Sequence, residues 1–170
     1  LIRAVSGAGK SFLAEQLGKG GLIFTTDDYF MADGKYDFNA NKLGIAHIWN
    51  QNRVKDAMIK GEPLIVVPNT NTTRKEIYPY VKMAKAYGYE VEIAEPNWHP
   101  DLKTPEGKWN YDFLKGRNVH NVPEEALKRM IDRYEYNLTP EKILGEEKLE
   151  TKYINGCIGY GVIFTTMVLF

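Results

Sequence analysis

The run Ala4-Val5-Ser6-Gly7-Ala8-Gly9-Lys10-Ser11 constrains this chain more than any other part of it. It follows the glycine-rich phosphate-loop pattern GxxxxGK[ST], with alanine in place of the first glycine. Such a loop works only between a strand and a helix. Its glycines let backbone N–H groups curl around phosphate oxygens, and the helix that follows adds its positive end. An apolar run, Leu1–Val5, stands before it and a helical pattern, Ser11–Leu17, stands after it. Ser6, Gly7, Ala8, Gly9, Lys10, Ser11 and Phe12 are therefore the expected nucleotide cradle. Lys10 would reach the outer phosphates, and the Ser11 hydroxyl would serve a magnesium ion. A methyl group at Ala4 suits the loop only if that residue has negative φ. A glycine-rich turn without a ligand is the alternative reading.

Further apolar runs at Leu22–Thr25, Leu64–Val67 and Glu90–Ala94 alternate with helical patterns at Asn41–Lys60, Thr73–Tyr87 and Pro123 to about Tyr136. That rhythm predicts an α/β fold with a parallel sheet flanked by helices. In Asn41–Lys60 the spacing points Leu43, Ile45, Ile48, Val54, Ala57 and Met58 toward the core. A chain of 170 residues, 44% of them hydrophobic, supports one domain and not two. The expected division is a domain over 1–140, with a lid at about 97–121, and an extension over 141–170. Its residues from Tyr153 to Phe170 carry no charge and reach the length of a membrane span. Gly156, Gly159, Gly161 and Asn155 favour a terminal strand or a partner surface there instead.

Twenty-two basic residues balance twenty-two acidic ones, which argues against a protein held on nucleic acid by a general positive field. The single cysteine, Cys157, cannot form an intramolecular disulfide, and no secretory leader is visible. A cytoplasmic location is the expectation. His99 and His120 lack partners at metal-ligand spacing, so no structural zinc site is expected.

Thr25-Thr26-Asp27-Asp28-Tyr29-Phe30 puts two acids at the carboxyl end of the second strand, where open α/β sheets bind ligands. Phosphoryl transfer to a hydroxyl needs a group that takes the proton and orients the oxygen, and Asp27 fits that role. The other reading has both acids capping the next helical turn. In the lid, Trp98, His99, Trp109 and Tyr111 alternate with Lys103, Lys108 and Lys115. They would either stack on the bases of a single strand or pack the loop onto the domain.

The loop, followed by Thr26-Asp27-Asp28-Tyr29, Asn69-Thr70-Asn71-Thr72 and Arg117-Asn118 with Val122-Pro123, resembles the P-loop polynucleotide kinases. That family includes the phage 5′-hydroxyl kinase and the animal kinases known as binding partners of HECT-type ubiquitin ligases. Ala46-His47 with Trp49-Asn50-Gln51 is similar to the animal branch. The resemblance runs from Leu1 to about Tyr136. It implies an adenylate-kinase-like fold with a lid, ATP and Mg2+ as cofactors, and the 5′-hydroxyl of a polynucleotide, or a related hydroxyl, as acceptor. Lys10 and Ser11 would then hold phosphates and metal, Asp27 would be the general base with Asp28 in support, and Arg117 would clamp donor phosphates.

Two positions depart from the family pattern. Pro68-Asn69 stands where the family brings an aspartate into the cleft, leaving Asn69 and Asn71 as amide contacts for the acceptor. Phe30 stands where the phage branch has an arginine on the acceptor phosphate. A kinase of small-molecule hydroxyls and a nucleotide-dependent binding module without chemistry remain alternatives.

Overall fold

The computed structural model describes residues 1–32, 34–117 and 122–146. Cys157, His120, Asn118 and the apolar tail lie outside them. The chain alternates short strands and helices: β1 (Ile2–Arg3), α1 (Lys10–Leu17), β2 (Leu22–Ile23), the hairpin β3 (Met31–Ala32) and β4 (Lys35–Tyr36), α2 (Leu43–Ile59), β5 (Ile65–Val66), β6 (Pro68–Asn69), α3 (Arg74–Ala86), α4 (Tyr111–Leu114), α5 (Glu124–Asp132) and α6 (Pro140–Leu144). The architecture is the expected α/β one, a parallel sheet with helices around it.

β5 and β6 are two pieces of one extended segment. β2 pairs with β5 in parallel, Leu22 opposite Ile65, and β1 pairs with β6 in parallel, Ile2 opposite Pro68. On the far side of β1 the expected strand Glu90–Ala94 shrinks to one bridge, Ile2 with Ala94, closed by Arg3 N–H to the Ala94 carbonyl at 3.0 Å. Pro68 explains why β2 pairs so briefly. Donors alternate sides along a strand, and the nitrogen facing β2 after Val66 belongs to Pro68, which has no hydrogen to give. The last ladder bond on that side runs from Phe24 N–H to the Val66 carbonyl at 2.9 Å.

Two helices differ from their sequence patterns. α2 buries Ala46, Asn50, Val54, Ala57 and Met58 and leaves Ile45 and Ile48 exposed. Asn50 belongs in the inner stripe because its amide donates to the Tyr80 hydroxyl at 3.1 Å and the Phe24 carbonyl at 3.3 Å. α5 ends at Asp132, short of Tyr136. α6 begins at Pro140 and runs through Leu144, into the expected extension. α6 buries Ile143 against Ile77 and Val81 of α3, and the Arg74 side chain donates to the Ile143 carbonyl at 2.8 Å.

The first strand hides a charge. Arg3 is 1% exposed, with its guanidinium on the carbonyls of Asn71 and Thr72, 3.0 Å each, and 4.2 Å above the Tyr134 ring. Glu95 stands 3.6 Å away and also accepts from the Tyr134 hydroxyl at 2.7 Å. A buried guanidinium survives only with such partners. No helix among the described residues is long and apolar enough to cross a membrane.

Candidate functional site

β1 delivers the chain into the phosphate loop, and two glycines turn it. Gly7 has φ +79° and Gly9, the residue before α1, has φ +92°. Both values favour glycine. Ala4 is not in this region, because among the described non-glycine residues only Asn71 and Asn137 have positive φ. Its methyl group is buried and its N–H donates to the Thr70 carbonyl at 3.2 Å, so the alanine is accommodated without strain.

The first-turn N–H groups of Lys10, Ser11 and Phe12 have no intrahelical partner, and no protein acceptor takes them among the described residues. They present a row of donors at a helix N-terminus, which suits an anion. The Phe12 side chain turns outward and is 60% exposed, so only its backbone faces the cradle. The exposed Ser11 hydroxyl suits magnesium, an ion held through few protein oxygens and otherwise by water and substrate phosphates. No cluster of three or more His, Cys, Asp or Glu side chains suitable for a metal occurs among the described residues.

Lys10 Nζ donates to the Val5 carbonyl at 3.1 Å. Burial pulls its pKa from the ordinary lysine value to about 8, and the nearby Asp27 charge pulls it back up. Phosphates arriving at the loop would restore the proton. Nucleotide binding is therefore expected to be flat with pH below about 8 and to weaken above it, by up to about tenfold per unit, because the lysine must take up a proton. Titration calorimetry at about pH 9 in buffers of different ionisation enthalpy measures that uptake. Lys10→Met should abolish it, and a pH-independent affinity in the wild type would contradict it.

Asp27 and Asp28 lie in a 3-10 turn, Thr26–Phe30, whose cap is Thr25, its hydroxyl accepting from Asp27 N–H at 3.3 Å. Their fates differ. Asp28 is taken by Arg53 of α2 at 2.8 Å, the guanidinium lying 4.3 Å over Trp49 and 4.7 Å over Phe24. Asp27 is exposed, and among the described residues its side chain accepts from the Tyr36 hydroxyl, 3.3 Å from Oδ1. Burial, with the Asp27 charge and hydrogen bond, pushes the Tyr36 pKa up to about 12, so the phenol stays protonated and donates. Tyr36 carries no sequence motif. It reaches Asp27 because the β3–β4 hairpin folds back.

Asn69 and Asn71, the expected amide contacts, are engaged within the protein. Asn69 is buried, and its Oδ1 accepts from Thr26 N–H at 2.9 Å and the Thr25 hydroxyl at 3.4 Å, while its Nδ2 donates to Tyr80 at 3.4 Å. The side chain thus continues the pairing that Pro68 interrupts, and it fixes the turn that carries Asp27. Asn71 is buried as well, its amide donating to the Ile2 carbonyl at 3.4 Å. His47 stands beside Thr26, ring nitrogen to hydroxyl 3.4 Å.

The segment expected to form the lid packs down on the phosphate loop. Trp98 donates its indole N–H to the Ala8 carbonyl at 2.9 Å, and a Cβ added to Gly9 would come within 2.7 Å of that nitrogen. Arg117 lies beside the loop, its backbone within 3.4 Å of where a Gly7 Cβ would stand, and its guanidinium sits 5.0 Å from the Trp98 ring and 4.9 Å from Phe113. Trp109 is buried in a core cluster with Ala4, Val5, Ala8 and Leu114 and cannot stack on a base. His99 stacks on Phe113 and caps the turn that follows it. Of the lid lysines, Lys103 pairs with Glu95 and Lys115 with Asp112. The lid aromatics chiefly pack the lid.

A family model described as AAA domain matches residues 2–136. The human protein NEDD4-binding protein 2 is 40% identical to this chain over 138 residues, which is 79% of the chain and 7% of that relative. The chain thus corresponds to a small part of that longer protein. With the glycine-turned loop joining β1 to α1 and a family match over most of its length, the chain belongs to the AAA-domain family of P-loop NTPase folds.

Proposed function

We propose that the chain is an ATP-dependent kinase that transfers the γ-phosphate to the 5′-hydroxyl of a nucleic acid. The observation that carries this reading is the glycine-turned loop that ends in Lys10 at the start of α1, with Asp27 in the turn after β2 near enough for its charge to raise the Lys10 pKa. A phosphate-binding cation and a carboxylate able to accept a proton are what transfer to a hydroxyl needs. The order of motifs and their resemblance to the P-loop polynucleotide kinases support this acceptor.

The chain's own residues divide the work. The loop amides and Lys10 hold phosphate oxygens, and Arg117, already against the loop, adds a planar guanidinium for the same charge. Magnesium, held in part by Ser11, would neutralise phosphate charge when bound. Tyr36 fixes one oxygen of Asp27. The other oxygen takes the proton of the acceptor hydroxyl as the new O–P bond forms and the bond between the γ-phosphorus and the leaving nucleoside diphosphate breaks. Asp28, locked to Arg53, and Asn69 hold the turn rigid, which matters because misplacement by an ångström costs rate.

The test is transfer of labelled γ-phosphate to a 5′-hydroxyl oligonucleotide, beside a panel of free nucleosides and sugars. Label on the oligonucleotide at far lower concentration than on any panel member is the expected result. Label confined to a panel compound would assign a small-molecule kinase, and nucleotide binding without label anywhere would assign a binding module.

A further inference from the structure

An aromatic block stands beside Asp27, and only its Tyr36 hydroxyl enters the transfer chemistry. Phe30, in the same turn as Asp27, is buried and contacts Tyr36 at 6.3 Å and Phe38 at 5.1 Å between ring centroids. Tyr36 and Phe38, two residues apart along an extended stretch, share a side, and their rings lie 14° from parallel with centroids 6.5 Å apart. Tyr36 ends on Asp27 itself. Phe38 is backed by the other two rings and is still 51% exposed.

We propose that the exposed face of Phe38 stacks on the nucleobase of the acceptor's 5′-terminal nucleotide, so that the site selects an unpaired end that carries a base. This rests on the reading under Proposed function and names what that site recognises. The local charge favours stacking over a phosphate grip. Asp27 and Asp37 are both exposed here and outnumber Lys35, the exposed lysine of β4, while Arg53, which approaches from α2, is spent on Asp28. A terminal nucleoside with a free 5′-hydroxyl carries no phosphate of its own at that end, and a base face binds an aromatic ring without needing charge. The geometry also joins the two events, because the ring that would lie behind the base is continuous, through Tyr36, with the carboxylate that receives the hydroxyl proton.

Stacking on an aromatic side chain tolerates any base, so little sequence preference is expected at the end nucleotide. The measurement is steady-state transfer at saturating ATP and magnesium to two oligonucleotides, one with an ordinary 5′-hydroxyl nucleotide and one whose terminal sugar lacks its base. The wild type should show a KM about tenfold to a hundredfold higher for the abasic end. Phe38→Ala should raise the KM of the ordinary end to the abasic value, leave the abasic KM and the nucleotide affinity unchanged, and Phe38→Trp should restore the difference. Equal KM values for both ends in the wild type, or a Phe38→Ala effect of the same size on both, would overturn the proposal and leave the kinase reading standing; the latter outcome would point to a partner surface. Wild-type transfer to neither oligonucleotide would overturn both.

Discussion

Asp27→Asn is expected to lower kcat by about 10²–10⁴ while the affinity for ATP stays near the wild-type value. The substitution keeps the shape of the side chain and an oxygen for the Tyr36 hydroxyl, which now sits 3.3 Å from Oδ1. It removes the lone pair that takes the proton. Asp27→Ala should give a similar loss of kcat. The nearby acid cannot stand in, because Asp28 is held by Arg53 at 2.8 Å and its turn is pinned through Thr26 to Asn69. Steady-state kinetics with calorimetry of ATP binding separates the two effects. Unchanged turnover in Asp27→Asn would remove Asp27 from the chemistry, whatever else the cleft binds.

Trp109→Ala should cost about 3–5 kcal/mol of folding stability, the range for deleting a buried aromatic. Its ring is 1% exposed, meets Tyr134 edge-on at 5.6 Å, and carries the Lys103 ammonium 4.7 Å from its centroid. Its backbone N–H donates to the Tyr136 hydroxyl at 2.9 Å. Because Ala4, Val5 and Ala8 share the cluster, the cavity would open under the phosphate loop as well as under the lid. A melting temperature lower by roughly 6–20 °C is the expected reading for a domain of this size. A fall of only a degree or two would mean that the lid packs more loosely than the ring contacts indicate. Trp98→Ala supplies the contrast, since that ring is partly exposed and should cost far less.

Local chemistry made much of this visible in the sequence. A glycine-rich loop ending in Lys10-Ser11 has one workable setting, between a strand and a helix, so the first third of the fold follows from those residues. The helix ending near Gly88 was legible for the same reason, since glycine there takes φ +76° and stops the turn. Pairings made at a distance were not legible. Arg3 looks like an interruption in an apolar run, and only the folded chain brings the carbonyls of Asn71 and Thr72 to it. Tyr36 meets Asp27 only through the hairpin. Asn50 is counted as polar in any periodicity, yet it lies inward because Tyr80 is there to receive its amide, and the stripe of α2 rotates away from Ile45 and Ile48 as a result. The same limit applied to Asn69. Its composition suggested a substrate contact, whereas the missing hydrogen of Pro68 gave its side chain a structural task.

In the proposed function, Lys10 and Asp27 serve one transfer, to a hydroxyl at the 5′ end of a nucleic acid. Two oligonucleotides that differ only at that position test it most directly, one ending in a 5′-hydroxyl and the other with hydrogen in its place, each incubated with labelled ATP and magnesium. Label on the first alone, and none with Lys10→Ala, is the predicted result. Label on both, or on neither while the protein binds ATP, would contradict it.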